Sequence, residues 1–278
     1  MNVYNYIMDL LNNKKVYIIC AKEVYPVAED YILSFKKLYT NIILFKEIIE
    51  IPTITCLNIY IFIQSIPTKL NIDINYKNIY LLNIEQLSRH DQISYIHTLP
   101  KNINLIDYSK ANMMYYTDYY NSKFLPYQIN YDEIYNFQKD RDLCIVLGPS
   151  TRRNNIINDF INKGYKIDII SGWKKERDNI LFRYKILINI GYNTSYKIFE
   201  SLRCDRCIFN KMIVISEKKE NMDLYHLKDY MIFDDYENIV DKAITVLNNY
   251  DMYYNSLHLD NLNLETLPID PIIPDMFF

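Results

Sequence analysis

The sequence predicts an α/β protein built from two Rossmann-like domains. Short apolar runs rich in Ile, Leu and Val recur along the chain, separated by helical or polar intervals, as in parallel α/β folds. The runs are continuous and do not alternate, which is typical of strands buried on both faces. A polar stretch at 128–142 separates two such series, and 278 residues suit one large or two modest domains.

The first series, residues 1–127, contains five predicted strands and two predicted helices. The strands cover 16–20, 42–45, 57–63, 79–82 and 103–107, and the helices cover 28–39 and 111–119. Apolar residues in the first of these helices repeat with a period near 3.6. No glycine precedes Gly148, so an NAD-type G-x-G-x-x-G turn is excluded from this half.

The second series, residues 143–249, repeats the pattern after the predicted linker at 128–142. Its predicted strands cover 143–147, 167–170, 186–190, 212–216 and 231–233, and its helices cover 154–163, 196–206 and 236–247. Gly164 is expected to end the first of these helices. The tail, 250–278, ends in Met-Phe-Phe, and this apolar end predicts that it packs back on the body.

The stretch from Tyr184 to Glu217 is predicted to hold the functional site. It has a strand, a turn at Gly191–Ser195, a helix expected to begin at Tyr196, and a second strand. In parallel sheets such a loop lies at the carboxyl end of the strands, where ligands bind. The N–H groups of a helix start favour phosphate, and Lys197 in that first turn opposes the helix dipole unless an anion is present.

Two further features support a diphosphate site at this edge. Gly148 and Gly191 follow strands of one predicted sheet, and Arg152, Arg153 and Lys197 are expected to converge there. Glu217 is a candidate for ribose hydroxyls and Trp173 for the edge of a base. The alternatives are ordinary turn glycines beside solvated helix starts, a surface glutamate and a packing tryptophan. The predicted donor-binding set is Gly148, Ser150, Arg152, Arg153, Trp173, Asn193, Thr194, Ser195, Lys197, Glu200 and Glu217.

Candidates for a catalytic base occur in the first series. Glu85 follows the strand at 79–82 together with other polar residues, and His90 lies just beyond it. His97 and Asp107 are weaker choices, and a structural role for each histidine is the alternative.

Composition excludes several classes of protein. The net charge is −3 and there is no Lys/Arg run, so nucleic acid is not an expected partner. The sequence has no stretch of ~20 apolar residues, so no membrane span is predicted. A reducing, cytoplasmic location is expected. The five cysteines are expected to be reduced and structural, and no metal site is predicted. The 28 tyrosines accompany heavy use of Ile, Asn and Lys, so they do not by themselves indicate a stacking surface.

Three stretches resemble a known family. GPSTRR at 148–153, SGWKKERD at 171–178 and LINIGYNTSYKIFESLRCDRCIFNKMIVISE at 187–217 are similar to the donor-binding half of small "group 1" glycosyltransferases of bacteria and large DNA viruses. The resemblance implies the GT-B fold, in which two Rossmann-like domains face each other across a cleft. The first would be the acceptor side and the second the donor side. It also implies donor contacts at Arg152, Lys197, Glu200 and Glu217.

The expected function is therefore metal-independent glycosyl transfer. The co-substrate would be a nucleotide-diphosphate sugar, with UDP or GDP as the nucleotide, and the acceptor a glycan hydroxyl. No cofactor is expected, and a homodimer is left open. The main alternative is a non-catalytic nucleotide- or sugar-binding protein that shares the fold, since fold does not imply function.

Overall fold

The structure is a computed structural model that describes most of the chain. The described residues are 15–25, 42–45, 58–67, 78–101, 103–116, 121–127, 129, 131–146, 148–172 and 174–262. They form two compact units, 15–127 and 129–262. Each unit is an α/β unit with an all-parallel sheet, which confirms the predicted fold class.

The first unit has a six-stranded sheet in the order β2-β1-β3-β4-β5-β6. Its strands are β1 Val16–Ile19, β2 Ile42–Phe45, β3 Ile59–Ile63, β4 Ile79–Asn83, β5 Asn104–Asp107 and β6 Ser122–Phe124. Every residue of β1, β3 and β4 is buried, which explains why the apolar runs do not alternate. Two helices are described in this unit, α1 His90–Thr98 and α2 Lys110–Met113.

A buried carboxyl group organises the carboxyl end of this sheet. Asp107 accepts hydrogen bonds from the Ser109 N–H at 2.8 Å, Asn83 Nδ2 at 2.7 Å, Asn112 Nδ2 at 3.1 Å and the Tyr116 hydroxyl at 2.9 Å. Asn112 in turn bonds the Leu87 N–H and the Glu85 carbonyl oxygen. The network therefore fixes the 84–89 loop. Burial raises the pKa of Asp107 to about 7, although the four donors act in the opposite direction.

This shift predicts a pH dependence of stability. Since the pKa of Asp107 is about 7 folded and 3.8 in the unfolded chain, the folded state binds the proton more tightly. The resulting stabilisation is complete below about pH 4 and is lost as the pH rises through about 7. The stability advantage of wild type over Asp107→Asn should thus shrink between about pH 4 and pH 7 in urea unfolding. An advantage that stays constant or grows with pH would contradict the prediction.

The second unit has a five-stranded sheet in the order β11-β10-β9-β7-β8. The strands are β7 Arg141–Val146, β8 Asp168–Ile170, β9 Tyr184–Asn189, β10 Ile213–Glu217 and β11 Ile232–Asp234. The helices are α3 Thr151–Asn162, α4 Lys174–Leu181, α5 Ser201–Phe209, α6 Ile239–Asn248 and α7 Tyr250–Ser256. Read from its other edge, this is a doubly wound sheet whose strand order reverses between β7 and β9.

The predicted helix at 196–206 is wrong at its start, because α5 begins at Ser201. Ile198 and Phe199 are buried, and the Phe199 ring packs 4.4 Å from that of Tyr225. The Lys197 carbonyl accepts the Glu220 N–H at 3.0 Å. These long-range contacts hold the segment as a loop, so Lys197 is not in a first helical turn.

Other elements also differ from the prediction or lie outside the described residues. Helix α1 and strand β6 were not predicted, and the charged 174–178 segment is the start of α4. Of the predicted 111–119 helix, residues 111–113 belong to α2, which ends at Met113, and 114–116 form a turn. The predicted 28–39 helix and the last part of the tail, 263–278, lie outside the described residues, whereas 250–256 form α7.

Residues 131–142 of the predicted linker lie in the second unit. Lys139 Nζ donates to the carbonyl oxygens of Phe182 at 2.6 Å and Asn210 at 2.7 Å, just beyond the ends of α4 and α5. Asn210 also bonds the Tyr135 N–H at 2.7 Å and the Glu133 carbonyl oxygen at 2.8 Å. This segment therefore satisfies backbone groups that two helix ends would otherwise leave unpaired.

The cysteines and the helices of the described residues were each the subject of a prediction. Cys144, Cys204 and Cys207 are buried free thiols, as predicted, Cys20 is buried, and Cys56 lies outside the described residues. Among the helices of the described residues, none has both the length and the apolar character that crossing a bilayer requires.

Candidate anion-binding site

Three strand ends in the second unit form the candidate site, which we call the carboxyl edge. β7 leads to Gly148, β9 leads to Ile190 and Gly191, and β10 ends at Glu217. Open parallel sheets bind ligands outside the carboxyl ends of their strands, at the point where the strand order reverses. In this unit that point lies between β7 and β9.

Arg153 spans this reversal point. Its Nε donates to the Ile190 carbonyl oxygen at 2.9 Å and its Nη1 to the Gly148 carbonyl oxygen at 2.9 Å. The side chain starts from the first turn of α3, which Ser150 caps by accepting the Arg153 N–H. Arg153 is only 3% exposed, yet no carboxylate of the described residues forms an ion pair with it. Burial lowers its pKa, and the charge of Arg203 lowers it further.

Glu217 joins the β10 end to its neighbours. Its Oε1 accepts the Gly191 N–H at 2.5 Å and Lys219 Nζ at 2.8 Å, and its Oε2 is paired with Arg152. A Cβ at position 191 would lie 2.9 Å from that Oε1 and 2.5 Å from the lysine nitrogen. A side chain at 191 would therefore displace the ends of the Glu217 and Lys219 side chains from their positions.

Arg152 is held on the outer side of this cluster. Its guanidinium carbon lies 4.1 Å from the centre of the Tyr236 ring, whose hydroxyl donates to the Arg152 carbonyl oxygen at 2.8 Å. Its Nε is buried and has no hydrogen-bond partner among the described residues. An unsatisfied buried donor on a cation is costly, and such a group is satisfied when an acceptor binds beside it.

The loop 191–200 is fixed by side-chain bonds. Asn193 Oδ1 accepts the Ser195 N–H at 2.9 Å and the Ser195 hydroxyl at 2.6 Å, which closes an Asx turn. Lys219 Nζ donates to the Tyr196 carbonyl oxygen at 2.6 Å. Lys197 is half-exposed and pairs with Glu220 at 2.8 Å.

The start of α5 completes the edge. Arg203 donates to Glu200 Oε2 at 2.5 Å and to Asn189 Oδ1 at 3.1 Å. Asn189 Nδ2 donates to Ser216 Oγ at 3.0 Å, which links the ends of β9 and β10. Glu200 is the residue before α5, and its side chain makes no capping hydrogen bond.

The charges of these side chains do not balance. Five are cationic and three are carboxylates, so the carboxyl edge carries an excess of two positive charges. The members are Arg152, Arg153, Lys197, Arg203 and Lys219 against Glu200, Glu217 and Glu220. Such an excess at a strand-order reversal suits an anionic ligand.

The remaining predicted residues are placed differently. Gly148 is exposed, and a Cβ added there would have no atom within 4 Å, so sterics do not require a glycine at this position. Thr194 is exposed, and Trp173 lies outside the described residues. In the first unit, Glu85 pairs with Arg89 at 3.3 Å and accepts from Gln64 at 3.3 Å, while His90 is exposed at the start of α1.

Sequence reasoning missed five residues of the carboxyl edge, which are Asn189, Arg203, Lys219, Glu220 and Tyr236. Lys219 lies two residues beyond a strand, Asn189 is inside a strand, and Tyr236 is one of 28 tyrosines. The one usable signal was the pair of lysines that follows the strand-end Glu217, because a glutamate buried there needs a local cation.

The fold and this edge define the class as a doubly wound α/β protein with an excess of positive charge at the carboxyl ends of its strands. No protein-family model matches the chain. The chain is 32% identical over 250 residues to uncharacterized protein L140 of Acanthamoeba polyphaga mimivirus, covering 84% of this chain and 80% of that protein. It is 28% identical to uncharacterized protein R358 of the same virus, covering 87% and 91%. The chain belongs to the family of the mimivirus protein L140.

Longer relatives and solved structures were also found. Uncharacterized protein L138 of the same virus is 30% identical over 283 residues, which are 30% of its length. The glycosyltransferase AviGT4, involved in avilamycin A biosynthesis, matches with a TM-score of 0.47 and 8% identity, covering 88% of this chain and 92% of that one. An α1,3-fucosyltransferase gives a TM-score of 0.45 and 13% identity, covering 93% and 83%.

Proposed function

We propose that the protein is a glycosyltransferase that takes a sugar from a nucleotide-diphosphate sugar, with the diphosphate at the carboxyl edge of the second unit. The observation that carries the proposal is Arg153, a buried guanidinium at the strand-order reversal with no carboxylate partner in the described residues. Glu200 and Glu217 favour the charged form of Arg153 without forming an ion pair with it, so a bound anion would offset more of the cost of burying the charge.

The neighbouring groups suit a diphosphate better than a single carboxylate ligand. Arg152 keeps an unsatisfied Nε, and Arg203 reaches the same edge from α5. When a glycosyl bond breaks, negative charge develops on the leaving diphosphate, and preorganised cations in a water-poor site stabilise it. These cations would do so without a metal ion.

The resemblance at 148–153, 171–178 and 187–217 supports transfer rather than binding alone. The acceptor would be a glycan hydroxyl, with Glu85 or His90 as the base. UDP and GDP are the nucleotides to test first. A binding protein with the same site would hold the nucleotide sugar and leave it intact.

The first test is pyrophosphate binding to an Arg153→Lys variant. Lysine keeps the charge but cannot donate to two carbonyl groups and an anion in one plane, so affinity should fall at least about tenfold. Titration calorimetry measures the affinity, and urea unfolding checks that the variant is folded. Arg141→Lys is the matched control, since Arg141 lies at the opposite end of β7 beside Tyr184.

Equal pyrophosphate affinity in wild type and Arg153→Lys would show that Arg153 does not bind the diphosphate. Turnover is tested by the release of UDP or GDP from their sugars, with and without EDTA. Nucleotide binding without release would favour the binding-protein alternative, and loss of release in EDTA would contradict metal independence.

A further inference from the structure

One exposed tyrosine stands out by its position at the carboxyl edge. Tyr192 directly follows Gly191, and its side chain is 46% exposed. The centre of its ring lies 5.6 Å from the Arg153 guanidinium carbon. The buried cation therefore lies over one face of an exposed aromatic ring, at the point where the strand order reverses.

The backbone that carries this ring is held on both sides. On one side the Gly191 N–H is bonded to Glu217, and on the other Lys219 bonds the Tyr196 carbonyl oxygen. The Tyr196 ring lies 5.9 Å from that of Tyr192, inclined at 52°. A ring positioned by fixed backbone loses little freedom on binding, so more of the contact energy appears as affinity.

Exposure alone does not single out this residue. Tyr131 is more exposed, at 69%, but it lies in the 131–133 turn, next to Glu133, whose carbonyl oxygen bonds Asn210 beyond the end of α5. That is the opposite end of the helix from Glu200 and the carboxyl edge. Tyr131 is thus a matched control for the tyrosine at the edge.

We propose that Tyr192 is the stacking surface for the nucleobase of the bound nucleotide. The inference rests on the proposed function, because the diphosphate at Arg153 brings the base to the neighbouring ring through the ribose. Every base has a π-face, so stacking tolerates both purines and pyrimidines. Affinity at this position would come from the ring and not from hydrogen bonds to the base edge.

The experiment compares pyrophosphate, UDP, GDP and UDP-glucose by titration calorimetry on the full chain. Tyr192→Ala should weaken UDP and GDP by about 5- to 150-fold, the range that base–aromatic stacking gives. Pyrophosphate affinity should stay at the wild-type value, because it has no base. Tyr192→Phe should keep UDP and GDP affinity, and Tyr131→Ala should match wild type.

The other outcomes overturn the inference in distinguishable ways. Equal loss for pyrophosphate and UDP in Tyr192→Ala would mean that Tyr192 acts on Arg153 and not on a base. If Tyr192→Ala loses affinity for UDP-glucose but not for UDP, the ring contacts the sugar and not the base. If it loses affinity for neither, Tyr192 does not contact the ligand. Wild type that binds pyrophosphate but no nucleotide refutes the stacking role alone, whereas wild type that binds neither refutes the proposed function as well.

Discussion

An Asp178→Ala variant is expected to lose about 3–5 kcal/mol of unfolding free energy, the cost of removing one partner from a buried ion pair. Asp178 is 1% exposed on α4 and pairs with Arg206 of α5 and with Arg177 at 2.9 Å. Arg206 also approaches Glu133 at 3.3 Å. Removing the central carboxylate would leave two largely buried guanidinium groups with one carboxylate between them.

Urea unfolding followed by the fluorescence of Trp173, the only tryptophan in the chain, would measure this loss. Asp241→Ala is the control, because Asp241 forms an exposed pair with Lys163 at 2.6 Å. Exposed pairs contribute little to stability, so this variant should unfold close to wild type. Equal losses in the two variants would show that burial of the Asp178 pair is not what stabilises the unit.

The second large effect concerns Glu217, for which two expectations compete. The resemblance places Glu217 in contact with the donor, so its loss should weaken nucleotide binding. The geometry shows its oxygens engaged by Arg152, Lys219 and the Gly191 N–H. A carboxylate in this position competes with an anionic ligand for the same cations.

We therefore expect Glu217→Gln to bind pyrophosphate about tenfold more tightly than wild type. This is a modest effect for the removal of one negative charge close to the ligand at an intermediate dielectric constant. Stability should fall, because Lys219 is buried and loses its charged partner. Calorimetry and urea unfolding measure the two effects separately. Asp142→Asn removes the same charge at the amino end of β7, where it pairs with Lys185, and should leave pyrophosphate affinity unchanged. Weaker pyrophosphate binding in Glu217→Gln would instead favour direct contact with the donor.

The sequence predicted the strands better than the helix starts. Buried parallel strands are continuous apolar runs, and this local signal placed β1, β9 and β10 within a few residues. The start of α5 depends on Phe199 packing against Tyr225, 26 residues later. No local pattern contains such a contact, so the turn residues at 193–195 wrongly suggested a helix cap.

Part of the candidate site was predictable because the apolar runs also show where the strands end. Arg152 and Arg153 lie in the first turn of the helix after β7, and Glu217 is the last residue of β10; parallel pairing brings such strand ends together at one edge. Lys197 was expected in the first turn of a helix, but it lies in the loop before α5 and pairs with Glu220. Tyr192 could not be singled out among 28 tyrosines, since its distinction is exposure beside a buried cation.

The attachment of residues 131–139 decides where the second unit can be excised for separate expression. A chain cut at 143, where the sequence places the start of the domain, would lose Lys139 from the ends of α4 and α5 and Glu133 from Arg206. It would also begin inside β7, whose pairing with β9 starts at Arg141. A fragment that begins at Tyr131 or earlier keeps all of these groups, and it is the one suited to crystallisation and isotope labelling of the ligand site.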